Sequence, residues 1–330
     1  DGNLEKAADL MLRWNKKSDA IGLGSVKFPY TMVSNDKLEK DAAELKKLGT
    51  LMKTPVTSGD RLRSVVNEWS LRHLQFQFDN NYFNNARVFF FSGLVNSTMA
   101  RVMSDYTDNL TFADPILEHD IPKFLHSIAD LELYAKGLHN LLSLLPDKYL
   151  SSKWESIKAL NDNLMHKAIK RAHFIVVPYF DFYRYVGNCT SDELSDKVII
   201  TTTAYDDRIE FLKSKGAKVI IDTTPKLLKR VVGVSILEAM SIVALGKPQY
   251  EVTDDDLLEI VSDHRMDPRV ISQSGALKRV NRFAFVINRH SQEYLKRLEP
   301  IDALSRLAPP TLSGTVEKLA AYSPPMVHSK

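Results

Sequence analysis

Residues 87–98, RVFFFSGLVNST, decide the fold. Arg87–Phe91 is an apolar run with no polar alternation, which predicts a strand buried on both faces. Ser92-Gly93 breaks the run, and Asn96-Ser97-Thr98 offers amide and hydroxyl caps to a helix that follows. A buried strand passing through a glycine into a capped helix is how a strand–helix–strand unit opens.

The same alternation continues downstream. Leu110–Ala113 reads as a second short strand ending at Asp114-Pro115, and Phe174–Val177, Lys197–Thr201 and Lys218–Ile221 as three more. A helix is expected over Asp206–Lys215. A long one is expected from Pro122, with Ile121, Phe124, Leu125, Ile128, Leu131, Leu138 and Leu145 on one stripe, and another over 151–171. Fully apolar strands alternating with helices predict an α/β fold, a Rossmann-like doubly wound parallel sheet spanning 81–245.

Upstream, Asp19–Leu23 reads as a strand and turn closed by Gly22 and Gly24, and Lys37–Leu48 as a charged helix. Thr54–Asp60 is a polar turn entering a helix that carries Leu62, Val65, Val66, Trp69 and Leu74. Residues 1–80, completed by 246–330, are expected to form a second, smaller α/β domain on the substrate side. Val231–Leu245 is apolar nearly all round and predicts a buried helix. Thr253 caps the next helix with Asp254, Asp255 and Asp256 behind it, and Arg282–Ile287 alternates like a strand.

Composition narrows the function classes. The 330 residues, 44% hydrophobic and 26% charged, exclude a disordered chain, a coiled rod and a disulfide scaffold. The single cysteine, Cys189, cannot form an internal bridge, and no Cys/His set has metal-ligand spacing, so no metal is expected. A net charge of +3 calls for neither nucleic acid nor an anionic membrane surface, and no apolar stretch reaches membrane-span length. The sequons at Asn96, Asn109 and Asn188 say little about secretion, and the chain reads as cytoplasmic. Both ends read as cuts from something longer.

Candidate sites follow the strands. Ser92, Gly93, Asn96, Ser97 and Thr98 lie where a phosphate meets free backbone N–H groups in a dinucleotide site, although only Gly93 remains of G-x-G-x-x-G. Asp114, after the second strand, stands where an acidic residue would hold a ribose, and is equally well a turn Asp before proline. Thr201 and Thr203, with Asp222-Thr223-Thr224-Pro225, sit at carboxyl strand ends, where ligands gather in open α/β sheets. Glu238 is a carboxylate inside an apolar helix: either it has a partner in the cleft or it lies on an exposed edge. Ser235 lies one helical turn earlier, and no histidine stands in an evident companion motif. The basic run Arg279, Arg282, Arg289, Lys296 and Arg297 reads as a solvated face.

Taken in order, DAIGLGSV (19–26), TPVTSGDRL (54–62), RVFFFSG (87–93), AHFIVV (172–177), KVIITT (197–202) and SILEAM (235–240) resemble the long-chain acyl-[acyl carrier protein] reductases, themselves similar to shikimate/quinate dehydrogenases. The resemblance implies reduction of an acyl thioester with NADP or NAD through a cysteine thioester. Thr57, Ser58 and Gly59 would face a small-molecule or acyl-thioester substrate, Ser92–Thr98 would hold pyrophosphate, and Glu238 would act as acid/base or orienter. Ser235 falls where the family has its cysteine, and the glycine loop lacks two of three glycines. RFAFVINRHSQEYL (282–295) resembles the family's opening strand and helix, implying a second related domain in a tandem parent. The rival expectation is a catalytically inactive Rossmann domain with a regulatory or scaffolding role; a sensor that binds without turnover lies between the two.

Overall fold

The runs that are apolar without alternation are the ones buried on both sides. In the computed structural model, which describes residues 3–24, 40–78, 80–139, 155–227 and 230–272, they form the centre of one sheet. The amino-terminal elements are α1 (Leu4–Trp14), β1 (Ile21–Gly22), α2 (Lys40–Thr50), β2 (Val56–Thr57) and α3 (Asp60–Gln77). Next come β3 (Val88–Phe90), α4 (Ser97–Ser104), β4 (Leu110–Phe112), α5 (Asp114–His119) and α6 (Ile128–Tyr134), which runs into a π turn over Ala135–His139. The middle of the chain holds α7 (Glu155–Arg171), β5 (Phe174–Val177), α8 (Phe182–Gly187), α9 (Ser191–Leu194), β6 (Val198–Thr201), α10 (Asp206–Ser214) and β7 (Val219–Asp222). A small ribbon of β8 (Lys226–Leu227) and β9 (Arg230–Val231) precedes α11 (Val234–Leu245), α12 (Asp254–Asp263) and β10 (Arg269–Ser272).

The main sheet has six strands in the order β10-β7-β6-β5-β3-β4. β3 to β7 are parallel, and β10 closes the edge antiparallel to β7. Because side chains alternate across a strand, Val88, Phe90, Val176 and Ile200 face one layer, with Leu71 and Leu74 of α3, Met99 of α4 and Leu131 of α6. Phe89, Ile175, Ile199 and Ile220 face the other, with Ile169 of α7, Phe182 of α8 and Leu212 of α10. Helices therefore cover both faces. Chain direction across the sheet reverses at β3, which has β4 on one side and β5 on the other. The crevice above the carboxyl ends of β3 and β5 is thus a topological switch point, where such sheets bind ligands.

All described residues belong to one compact unit. β1 and β2 pair in parallel, Ile21 opposite Val56, and both pack on α11. The segment after residue 245 contributes β10 to the main sheet, and α12 packs on α3.

Two expectations change. The helix expected from Pro122 starts at Ile128, because Phe112 and Leu125 exchange backbone hydrogen bonds of 2.9 and 3.1 Å that hold the intervening stretch out of the helix. Ser127 then caps it by accepting from the Asp130 N–H. The helix expected to be wholly buried, α11, leaves Ile236, Met240 and Val243 about half exposed along one stripe. Its opposite face, with Leu237, Glu238, Ser241 and Ile242, is buried. Thr253 caps α12 as expected, with Asp256 returning the bond to the Thr253 N–H. Residues 37–39, Leu145, 151–154, 228–229 and everything after 272, including the expected strand at 282–287, the basic run and the tail resemblance, lie outside the described residues. Among the described residues, no helix is long and apolar enough to cross a membrane, and no cluster of His, Cys, Asp or Glu is placed to hold a metal ion.

Candidate functional site

The turn between β3 and α4 closes on itself. Asp114, fully buried at the start of α5, accepts the Gly93 N–H at 2.8 Å, the Leu94 N–H at 3.0 Å and the Ser92 hydroxyl at 2.9 Å. An internal carboxylate therefore occupies the backbone donors that a pyrophosphate would need. Burial pushes the Asp114 carboxyl above its usual range, against the pull of those three donors. A Cβ on Gly93 would lie 2.5 Å from the Phe112 ring and 2.8 Å from Leu131, so this glycine serves close packing. Asn96 donates its side-chain amide to the Ser92 carbonyl at 3.0 Å, Ser97 is buried, and the Thr98 hydroxyl donates to Ser64 at 3.2 Å. These residues do not fit a dinucleotide in the usual manner: Asp114 cannot reach a ribose, and Gly93 and Leu94 have no donors to spare.

Glu238 resolves as the partnered alternative. Gly59, the cap residue of α3, has no side chain to bond the first turn. Glu238 supplies that cap from α11, accepting the Leu62 N–H at 2.8 Å on Oε2 and the Thr57 hydroxyl on Oε1. Thr57 in turn accepts the Gly59 N–H at 3.1 Å. Ser58 donates to Asp60 at 2.7 Å, and Asp60 also pairs with Arg63 at 2.7 Å. Thr57 and Gly59, expected to face substrate, are thus structural, and Ser58 is the member of the trio that reaches open space.

That space is a cavity of about 210 Å³ at the carboxyl edge of the sheet. Its walls come from β1 (Gly22, with Leu23 and Gly24 beyond it), the β2–α3 turn (Ser58), the start of α3 (Arg63), the β3–α4 turn (Val95, Asn96), the loop after β5 (Tyr179, Phe180), the loop after β6 (Thr202, Thr203, Tyr205) and the start of α11 (Gly233–Ile236). Of the expected site residues, the structure brings Ser58, Asn96, Thr203 and Ser235 together here. It leaves Ser92, Gly93, Ser97, Thr98, Asp114, Thr201, Thr57, Gly59 and Glu238 outside. Thr201 is fully buried, and its hydroxyl has no partner among the described residues. Thr203 sits at φ +53°, an uncommon conformation for a β-branched residue, and is held by Thr224 through its N–H at 2.8 Å and its hydroxyl at 3.1 Å. Asp222 anchors the neighbouring loops, accepting the Ala204 and Thr224 N–H groups at 2.9 Å each and pairing with Arg269 of β10. Burial raises the Asp222 carboxyl, opposed by that guanidinium.

Reading the strands alone misses Arg63, Tyr179, Phe180 and Tyr205. The available signal was position: Tyr179 and Phe180 follow directly on FIVV, at the same carboxyl edge as the threonines. Arg208 fixes Tyr179 by donating to its carbonyl at 3.0 Å and lying 4.1 Å from its ring centre. Cys189 lies away from this cavity, in a second cavity of about 610 Å³ between α5, α7 and α8. Burial pushes its thiol up to about 12.

A family model described as a domain of unknown function, DUF8754, matches residues 61–273, more than half of the chain. The chain belongs to the DUF8754 family. A second model, described as the domain of unknown function DUF8753, matches residues 1–58. No curated protein and no solved structure matches the chain. The DUF8754 segment carries α3, the whole main sheet and α11, whereas Gly22, Leu23, Gly24 and Ser58 come from the DUF8753 segment. The cavity is therefore built from both.

Proposed function

We propose that the chain is a Rossmann-like binding domain whose crevice at the sheet's carboxyl edge takes a small ligand without reducing an acyl thioester. The engagement of Glu238 carries this reading. Both its oxygens are held by Thr57 and Leu62, which removes this carboxylate from acid–base work. Among the described residues, no histidine, carboxylate or thiol lines the cavity beside Ser235, and an unactivated hydroxyl is a weak nucleophile. Cys189 does not replace the missing cysteine, because it is remote and its thiol is almost wholly protonated at neutral pH.

A second reading keeps the NAD(P)-dependent oxidoreductase, supported by the convergence of Asn96, Thr203 and Ser235 on one crevice at the switch point. One assay separates the two. The chain is mixed with a long-chain acyl thioester and NADPH, then NADH, and aldehyde is measured for the native protein, Ser235→Ala and Ser235→Cys. The binding reading expects no aldehyde from the native chain. Aldehyde that scales with native protein and disappears in Ser235→Ala overturns it in favour of the oxidoreductase.

A further inference from the structure

The charge pattern of the crevice narrows its ligand, given the reading that the crevice binds a small molecule. We infer that it takes a small phosphate monoester, with the phosphoryl group at the amino end of α11 and a planar ring along Tyr179 and Tyr205.

Three observations lead there. Among the described residues, Arg63 is the one charged residue in the cavity wall, and no acidic side chain lines it. Its Nη1 is committed to Asp60, while Nε and Nη2 make no hydrogen bond among the described residues. The first turn of α11 forms part of the same wall, its cap Gly233 brings no side chain, and the turn holds no acidic residue. The positive end of that helix is therefore uncompensated.

The second observation is independent of the helix. Ser235 and Thr202 are 7% and 5% exposed, yet neither hydroxyl has a hydrogen-bond partner among the described residues. Buried hydroxyls in folded proteins are nearly always bonded. Both hydroxyls also escape full enclosure by protein, and the open space beside both residues is the cavity. Two hydroxyls and two guanidinium nitrogens suit the three terminal oxygens of a phosphoryl group better than the two of a carboxylate.

The rest of the wall suits the rest of such a molecule. Tyr179, steadied by Arg208, and Tyr205 bring aromatic side chains to the wall, and Asn96, 4% exposed, has no partner for its Oδ1 among the described residues, leaving it to accept from a ligand donor. A volume of about 210 Å³ lies below the roughly 300–1,000 Å³ of drug-sized sites. That favours a mononucleotide-sized ligand over a dinucleotide.

The test titrates the full chain calorimetrically with adenosine monophosphate, inorganic phosphate and adenosine. Adenosine monophosphate should bind, phosphate should compete with it, and adenosine should bind about tenfold more weakly or worse. Arg63→Ala should weaken adenosine monophosphate about tenfold and leave adenosine unchanged. Thr202→Val and Ser235→Ala should each weaken it severalfold, whereas Arg61→Ala, on the surface pair with Asp254, should not. Unfolding midpoints confirm that each variant is folded. Equal binding of adenosine and its monophosphate, an unchanged affinity in Arg63→Ala, or no binding of either phosphate probe overturns the inference. If NADPH still binds in that last case, the crevice remains a ligand site of another class; aldehyde formation in the earlier assay is what removes the binding reading itself.

Discussion

The finest determinant of the crevice is the absence of two side chains. Gly22 and Gly59 press the backbone of β1 and of the β2–α3 turn onto the first turn of α11. A Cβ on Gly22 would lie 2.7 Å from the Ser235 carbonyl oxygen, and one on Gly59 2.5 Å from the Ser235 nitrogen. Gly59 also sits at φ +82°, where a side chain is strained in any case. Gly59→Ala should therefore cost about 1–3 kcal/mol from backbone strain alone, and more because α11 has to move, dragging Glu238 from its bond to Leu62. Gly24→Ala, which meets nothing within 4 Å, should stay within about 0.5 kcal/mol of the parent. Urea midpoints of the two variants check the contrast, and equal midpoints would show that α11 does not depend on this approach. The sequence displays Gly22, Gly24 and Gly59 alike, as turn glycines. What separates them is a helix that starts more than 170 residues later than any of them.

At the scale of elements, β10 shows how a strand from late in the chain is fastened to the sheet. Its backbone pairs with β7, and the Arg269 guanidinium enters a buried cluster, meeting Asp222 and donating to the Ala204 carbonyl at 2.6 Å. Asp222 has no contact with solvent. Removing only the arginine strands a buried carboxylate, so Arg269→Met should lose about 3–5 kcal/mol, and adding Asp222→Asn should restore part of that loss. A double-mutant cycle in urea measures both; additive losses would mean that the pair is not coupled. The main strands were legible because burial on both faces leaves an unbroken apolar run, as in Phe174–Val177. The segment before α6 was not, because Ile121, Phe124 and Leu125 have helical spacing while Leu125 is claimed by an edge contact to Phe112. Likewise Glu238 could be recognised as anomalous from its apolar neighbours, but its partners, Thr57 and Leu62, lie too far away in the chain for spacing to reveal. Of the crevice, the threonine and Asn96 turns were visible as strand ends; Arg63 was hidden in an ordinary amphipathic helix.

Across the whole molecule, the two edges of the sheet differ in closure. The carboxyl edge holds the open cavity. The amino edge is tied shut around His173, whose Nε2 accepts from the Arg87 guanidinium at 2.8 Å while the His173 and Phe174 N–H groups donate to the Arg87 carbonyl at 2.8 and 3.2 Å. Arg87 also donates to the Arg171 carbonyl at 2.6 Å, joining α7 to the start of β3. A guanidinium can only donate, so a proton on Nε2 would break that bond. Burial, then the Arg87 and Lys197 charges, hold His173 below its usual value, and burial does the same to His119. A histidine depressed in the folded state binds fewer protons there than in the unfolded chain. Its contribution to stability is therefore complete above about pH 6.5 and is lost as pH falls through the folded-state value. Asp114 and Asp222 run the other way. Raised by burial, they contribute most below the usual carboxylate value and lose that contribution as pH rises through their folded-state values. Comparing the native chain with His173→Gln isolates the histidine from these opposing groups. The unfolding midpoint of the native chain should fall more steeply than that of the variant between about pH 6.5 and 5, while the two run parallel above neutrality. Parallel curves throughout would mean that the amino edge opens or rearranges to accept the proton, and that the arginine contact does not govern it.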